Sequence, residues 1–110
     1  MLSMTTRRSL DIPTNLPPGD AFSVVRAALA DLGWTLTTDG STRIVAAEDP
    51  TRLHCHCQPI KATITFKETA DGRSIVSLET SVPGRGPISS KHADAQTGML
   101  TRRICSRIPG

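Results

Sequence analysis

Aromatic residues are scarce in this chain, which has no tyrosine, one tryptophan and two phenylalanines among 110 residues. A hydrophobic core must therefore consist mainly of valine, isoleucine, leucine and alanine. Hydrophobic residues make up 37% of the chain and charged residues 21%, which is enough apolar material for a folded core. Because 110 residues suit one core rather than two, we expect a single domain over residues 1–110, with residues 1–4 flexible.

Long apolar runs are also missing. No segment approaches the roughly 18 apolar residues of a membrane span, and the N-terminal "MLSMTTRRSLDIPT" has no apolar stretch behind its arginines. We therefore expect no signal peptide, no membrane partner and a cytoplasmic protein. Met4 is an alternative start to Met1.

The cysteines do not fit a disulfide scaffold. There are three of them, an odd number, and two stand only two positions apart at Cys55 and Cys57. A secreted domain held together by disulfides normally has paired, well-spaced cysteines. The sequence therefore indicates reduced thiols.

Excess positive charge is confined to the C-terminal end. Residues 1–90 hold nine basic and nine acidic side chains, whereas the last twenty residues hold Lys91, Arg102, Arg103 and Arg107 against Asp94 alone. Positive charge of this kind can contact nucleic acid phosphates. The segment has no aromatic residue to stack on bases, so nucleic acid binding is the less favoured alternative.

The clearest helical pattern begins at Asp20, a residue that favours the N-cap position. Phe22, Val25, Leu29 and Leu32 follow at helical spacing. Gly33 is typical of a helix C-terminus, and the next residue, Trp34, is placed to fold back on the last turn. We predict a helix from Asp20 to Leu32.

Alternation of polar and apolar residues, rich in threonine, valine and isoleucine, predicts strands elsewhere. The first lies at residues 7–13, and residues 34–48 form a hairpin that turns at Asp39-Gly40. Further strands are expected at residues 52–57, 60–68 and 74–82. The predicted core face of the last two strands consists of Ile60, Ala62, Ile64, Phe66, Val76, Leu78 and Val82, with Thr63, Thr65, Ser77 and Glu79 on the opposite face.

A second helix is predicted from Ser89 to Ile108. Its apolar stripe consists of Ala93, Thr97, Leu100, Ile104 and Ile108. Gly98 within it disfavours helix by about 1 kcal/mol relative to alanine.

The order of elements is a strand, a helix, four or five strands and a second helix, which is β-α-β-β-β-β-α with four. It predicts an α+β domain with an antiparallel sheet and two helices packed on one face. This order resembles a minimal helix-grip or TATA-binding-protein-like arrangement, in element order only. Folds of this kind host many functions, so the class of fold does not decide the activity.

The segment "LHCHC" at residues 53–57 concentrates candidate metal ligands. On a strand, Cys55 and Cys57 face one way, and His54 and His56 the other, so the four cannot converge on one ion. Two ligand sets for zinc remain open: Cys55 and Cys57 with His92, or the pair His54 and His56. The alternatives are a functional thiol and an ordinary strand with buried cysteines and exposed histidines.

The loop "PGRGPISSK" is a candidate anion site, since it precedes a predicted helix N-terminus where free N–H groups can hold an anion. The candidate residues are Arg85, Gly86, Ser90 and Lys91. The alternative is a connecting loop in which Ser89 or Ser90 caps the helix.

No catalytic constellation is evident, because His92 and Asp94 stand two positions apart and point in different directions on a helix. We therefore predict a small non-enzymatic binding module for a hydrophobic small ligand or a protein partner. An edge strand or the threonine-rich sheet face can also serve a homodimer. The alternatives are a metal- or thiol-dependent enzyme or sensor, and nucleic acid binding through the basic C-terminal helix.

Overall fold

The fold is described from a computed structural model, in residues 5–39, 42–49, 59–84 and 87–108. It has five strands and two helices in these ranges. In chain order they are β1 (Thr5–Thr14), α1 (Pro18–Asp31), β2 (Thr35–Asp39), β3 (Arg43–Ala47), β4 (Lys61–Glu68), β5 (Ser74–Pro83) and α2 (Pro87–Arg107). The predicted order of elements is confirmed.

The strands form one antiparallel sheet in the order β1-β5-β4-β3-β2. The predicted hairpin is confirmed by pairing from Thr35 with Ala47 to Asp39 with Arg43. The turn between β4 and β5 places Gly72 at a φ of 82°, a conformation that glycine adopts without strain. The strand predicted at residues 52–57 lies outside the described residues.

The start of α1 differs from the prediction. The helix begins at Pro18, its N-cap position is Pro17, and Asp20 lies in the first turn instead of capping it. Proline suits this place because the first helical N–H groups have no partner within the helix, and an acid in the first turn is favoured by the helix dipole. The helix therefore begins two residues before Asp20.

The end of α1 agrees with the prediction. Gly33 has a φ of 75°, its N–H donates to the Ala30 carbonyl at 3.0 Å, and the Trp34 N–H donates to the Leu29 carbonyl at 3.1 Å. These two bonds form the Schellman motif that a C-terminal glycine permits. The motif turns the Trp34 side chain into the core, where it is 6% exposed.

Helix α2 begins at Pro87, two residues before the predicted start, so Ser89 and Ser90 lie within its first turn. The predicted stripe faces the protein interior: Ala93, Thr97, Leu100 and Ile104 are buried and Ile108 is partly buried. No helix in the described part of the chain is both long and apolar enough to span a membrane.

Both helices cover the same face of the sheet. Helix α1 packs on β2, β4 and β5, α2 packs on β1 and β5, and the two helices contact each other. The rings of Phe22 and Phe66 lie 5.4 Å apart between α1 and β4. All seven residues predicted for the core face of β4 and β5 are buried. The chain is thus one compact α+β domain with its core between the helices and the sheet.

Candidate ligand-binding groove

A groove runs between α2 and the edge strand β1. It has a volume of about 380 Å³. It exists because α2 crosses β1 and β5 on the covered face of the sheet, while β1 has a strand neighbour on one side only. We call it the α2–β1 groove, and its lining residues are Arg8, Ser9, Leu10, Asp94, Thr97, Gly98, Thr101 and Arg102.

The inner wall of the groove combines apolar groups with one buried hydroxyl pair. Leu10 is partly buried and packs against the core. Below it, the hydroxyls of Thr80 and Thr97 lie 2.7 Å apart, with Thr80 fully buried and Thr97 8% exposed. One hydroxyl proton is used in this bond, because only one of two paired oxygens can donate to the other. When Thr80 is the donor, the proton left over is that of Thr97, which lines the groove.

One end of the groove is closed by an ion pair. Arg8 Nε donates to Asp94 Oδ1 at 2.6 Å, and Arg8 Nη2 donates to Ser90 Oγ at 2.8 Å. The Arg8 side chain is 34% exposed and that of Asp94 is 63% exposed, so solvent screens the pair. The contact joins β1 to α2 and neutralises the charge of Arg8.

The other arginine of the groove is not neutralised. Arg102 is exposed and makes no hydrogen bond or ion pair with any residue in the described ranges. Its guanidinium lies over Gly98, where a Cβ atom would be only 3.3 Å from Arg102 Nη1. The absence of a side chain at Gly98 therefore leaves the space that the guanidinium occupies.

A second polar cluster lies where β3 meets α2. Glu48 Oε1 accepts a hydrogen bond from His92 Nε2 at 2.8 Å and another from the Ile60 N–H at 3.2 Å. The Glu48 N–H also donates to the Ile60 carbonyl at 2.9 Å. The Glu48 and His92 side chains are 11% and 14% exposed. This cluster fixes the two ends of the segment between residues 48 and 60.

The predicted metal and thiol residues are not brought together by any described contact. Cys55, Cys57, His54 and His56 lie outside the described residues, and His92 is bonded to Glu48. Within the described ranges, no group of three or more histidine, cysteine or acidic side chains is arranged to hold a metal ion. The zinc and thiol hypotheses therefore stay predictions.

The predicted anion site is described in part. Arg85 and Gly86 lie outside the described residues. Ser90 Oγ accepts the hydrogen bond from Arg8, while Lys91 is exposed on α2. The anion site stays a prediction, with the Ser90 oxygen already engaged.

The basic end of α2 is less positive than its sequence indicates. Arg107 binds Asp31 at the end of α1 through Nε at 2.7 Å and Nη2 at 2.6 Å. Arg102 and Arg103 remain exposed. The set predicted for nucleic acid binding is thus reduced to two free cations.

The open face of the sheet carries the polar residues predicted for it. A recess of about 310 Å³ lies on this face, lined by Ser9, Asp11, Arg43, Thr63, Thr65, Ser77, Leu78 and Glu79. In the described sheet, β1 and β2 are the edge strands. Dimerisation through an edge strand or through this face stays a prediction.

Among the buried polar residues that the sequence analysis does not identify, Glu48 and Thr80 have a signal in the strand pattern. Glu48 continues the alternation of the buried residues Ile44 and Ala46, so it falls on the core side of β3. Thr80 stands between Leu78 and Val82 in the same way on β5. A polar residue on the core side of a strand must find a partner, and His92 and Thr97 are those partners.

Comparison with known proteins gives a fold but no family. No family model matches the chain. No curated protein matches its sequence.

Solved structures that resemble the chain include a protein from Nitrosospira multiformis, with a TM-score of 0.65 over 96% of this chain and 97% of the other, at 10% identity. The di-domain ARO/CYC BexL from the BE-7585A biosynthetic pathway gives 0.64 at 12% identity, over 97% of this chain and 51% of its own length. Ara h 8.0201 gives 0.57 at 9% identity, over 94% of this chain and 97% of the other. At these identities the likeness establishes the small α+β fold.

Proposed function

We propose that this protein is a non-enzymatic binding module that holds a small hydrophobic ligand in the α2–β1 groove. The observation that carries the proposal is the groove itself, a recess of about 380 Å³ between a helix and a sheet edge. Ligand pockets typically measure roughly 300 to 1,000 Å³ and combine apolar walls with a few polar groups. The groove lies at the small end of this range, which suits a short aliphatic ligand.

The walls of the groove provide contact for an apolar chain. Leu10 lines the groove from β1, and Thr97 and Thr101 line it from α2. The Thr101 hydroxyl donates to the Thr97 carbonyl at 2.7 Å, which leaves its methyl group as the part offered to a ligand. Both walls belong to regular elements, so the groove keeps its shape without a ligand.

Two of the similar structures are di-domain ARO/CYC proteins, from the BE-7585A and steffimycin biosynthetic pathways. Each is matched over 51% of its length, so one unit of this fold corresponds to about half of such a chain. The proposal of a small ligand is compatible with these names and rests on the groove.

The groove lining favours binding over catalysis. Its one carboxylate, Asp94, is bonded to Arg8, and none of the described lining residues is a histidine or a cysteine. General acid–base catalysis needs a group that can gain or lose a proton beside the substrate. Turnover of a bound compound by the unaltered protein would contradict the proposal.

Titration of isotope-labelled protein with octanol tests the proposal, with amide chemical shifts as the readout. We expect saturable shifts at Leu10 and Gly98. Thr101→Phe should abolish them, because the ring fills the groove. Met99→Ala is the matched control: Met99 is on the same helix, is 37% exposed and lines a different recess, with Leu32. Absence of saturable shifts in the unaltered protein would overturn the proposal.

A further inference from the structure

The position of Arg102 bears on the charge of the ligand that the α2–β1 groove can hold. Its guanidinium lies over Gly98 at the groove wall, with Nη1 3.3 Å from where a Cβ would stand. A guanidinium presents several N–H donors in one plane, which matches the two oxygens of a carboxylate. The position allows Arg102 to meet the polar end of a ligand whose apolar part lies along Leu10.

The charges around the groove make this arginine the available cation. Arg8 is bonded to Asp94, so these two charges cancel. Arg102 has no such partner in the part of the chain that the structure describes. The groove therefore has a net positive charge, which favours an anion and disfavours a cation.

We infer that the α2–β1 groove takes an amphipathic carboxylic acid, with its carboxylate on Arg102 and its aliphatic chain against Leu10 and the threonine methyl groups. This inference rests on the proposed function and adds the class of ligand to it. Because Arg102 is exposed, the contribution of the ion pair is modest. We expect a carboxylate to bind about three- to fivefold more tightly than a neutral ligand of the same chain length.

Octanoate, octanol and octylammonium, titrated separately at low ionic strength, test the inference through the amide shifts of Leu10 and Gly98. We expect octanoate to bind most tightly and octylammonium most weakly. The preference of octanoate over octanol should shrink in high salt, because salt screens an exposed ion pair. Arg102→Gln should remove the preference of octanoate over octanol. Arg103→Gln is the matched control, since Arg103 is the neighbouring exposed arginine and does not line the α2–β1 groove. The recess that Arg103 lines is shared with Arg102.

The outcomes separate the inference from the proposed function. If octanol binds and octanoate binds no more tightly, or if Arg102→Gln keeps the preference, the inference is overturned and the binding module stands. If none of the three compounds gives saturable shifts, the proposed function is overturned, and the inference with it. Tighter binding of octanoate that depends on Arg102 and not on Arg103 supports both.

Discussion

His92 on α2 donates a hydrogen bond through Nε2 to Glu48 Oε1 at the end of β3, at 2.8 Å and with both side chains largely buried. The same carboxylate oxygen accepts the Ile60 N–H at 3.2 Å. A buried acid with two donors holds three parts of the chain together: the end of β3, the start of β4 and the N-terminal half of α2. Its removal leaves both donors without a partner.

Glu48→Ala should therefore lower the free energy of unfolding by about 3 kcal/mol, since buried unpaired donors and broken buried pairs are both strongly unfavourable. Glu48→Gln retains an oxygen that can accept from both donors but loses the negative charge, and should lose about 1 kcal/mol. Urea denaturation followed by circular dichroism measures both values. Glu79→Ala, an exposed change on the open face of the sheet, is the control and should have little effect. Equal stabilities for the Glu48 variants and the control would contradict this role.

The buried Thr80–Thr97 pair gives a second prediction, for which the double change is more informative than either single one. Thr97→Val leaves the fully buried Thr80 hydroxyl without its partner and should lower the free energy of unfolding by about 1 to 2 kcal/mol, as should Thr80→Val. The double variant replaces both hydroxyls by methyl groups of similar size and should lose less than the sum of the two. Strictly additive losses in chemical denaturation would show that the two hydroxyls are not coupled.

Gly98→Ala separates stability from binding. Alanine favours helix over glycine by up to about 1 kcal/mol, and the new Cβ meets only the mobile end of Arg102, at 3.3 Å. We expect a rise in melting temperature together with a smaller octanoate preference, because Arg102 Nη1 must shift to make room for the new Cβ. Thermal unfolding and the octanoate titration check the two parts. A variant that keeps the full preference would show that the position of the guanidinium over Gly98 does not matter.

The zinc hypothesis has its own prediction, which does not depend on the groove. If Cys55, Cys57 and His92 bind zinc, protein purified without a histidine tag should contain about one zinc ion per chain by elemental analysis. Cys55→Ser and Cys57→Ser should each lose that zinc, whereas Cys105→Ser, at an exposed cysteine on α2, should retain it. Metal-free protein with a melting temperature that added zinc, copper or iron does not change would dispose of the hypothesis.

The fold was predictable because the local helix and strand patterns, the turn residues and the order of elements all indicate the same structure. The helical period from Phe22 to Leu32, the glycine stop at Gly33 and the alternation in β4 and β5 each select one structure, and the order of elements limits how they can pack. The helix starts were less certain. Proline at Pro18 and Pro87 can begin a helix without a side-chain cap, so the cap residues Asp20 and Ser89 indicated starts two residues too late.

The candidate groove was not predictable to the same degree. The pattern of α2 placed Thr97 on the buried stripe, but it gave no information on which strand would lie opposite. The contact of α2 with β1 depends on the position of β1 beside β5, whose paired residues are sixty or more positions apart in the chain. The ion pair of Arg8 with Asp94 is equally remote in sequence. Of the two arginines that line the groove, Arg8 is paired with Asp94 and Arg102 is not. The sequence does not show which of the two has a partner.

The central claim, that a hydrophobic ligand occupies the α2–β1 groove, is tested most directly by intermolecular nuclear Overhauser effects. Protons of the terminal methyl group of bound octanol should contact the Leu10 methyls, and those of the rest of its chain the Thr97 and Thr101 methyls, in methyl-labelled protein. Contacts instead with Thr63 and Thr65, on the open face of the sheet, would contradict the claim.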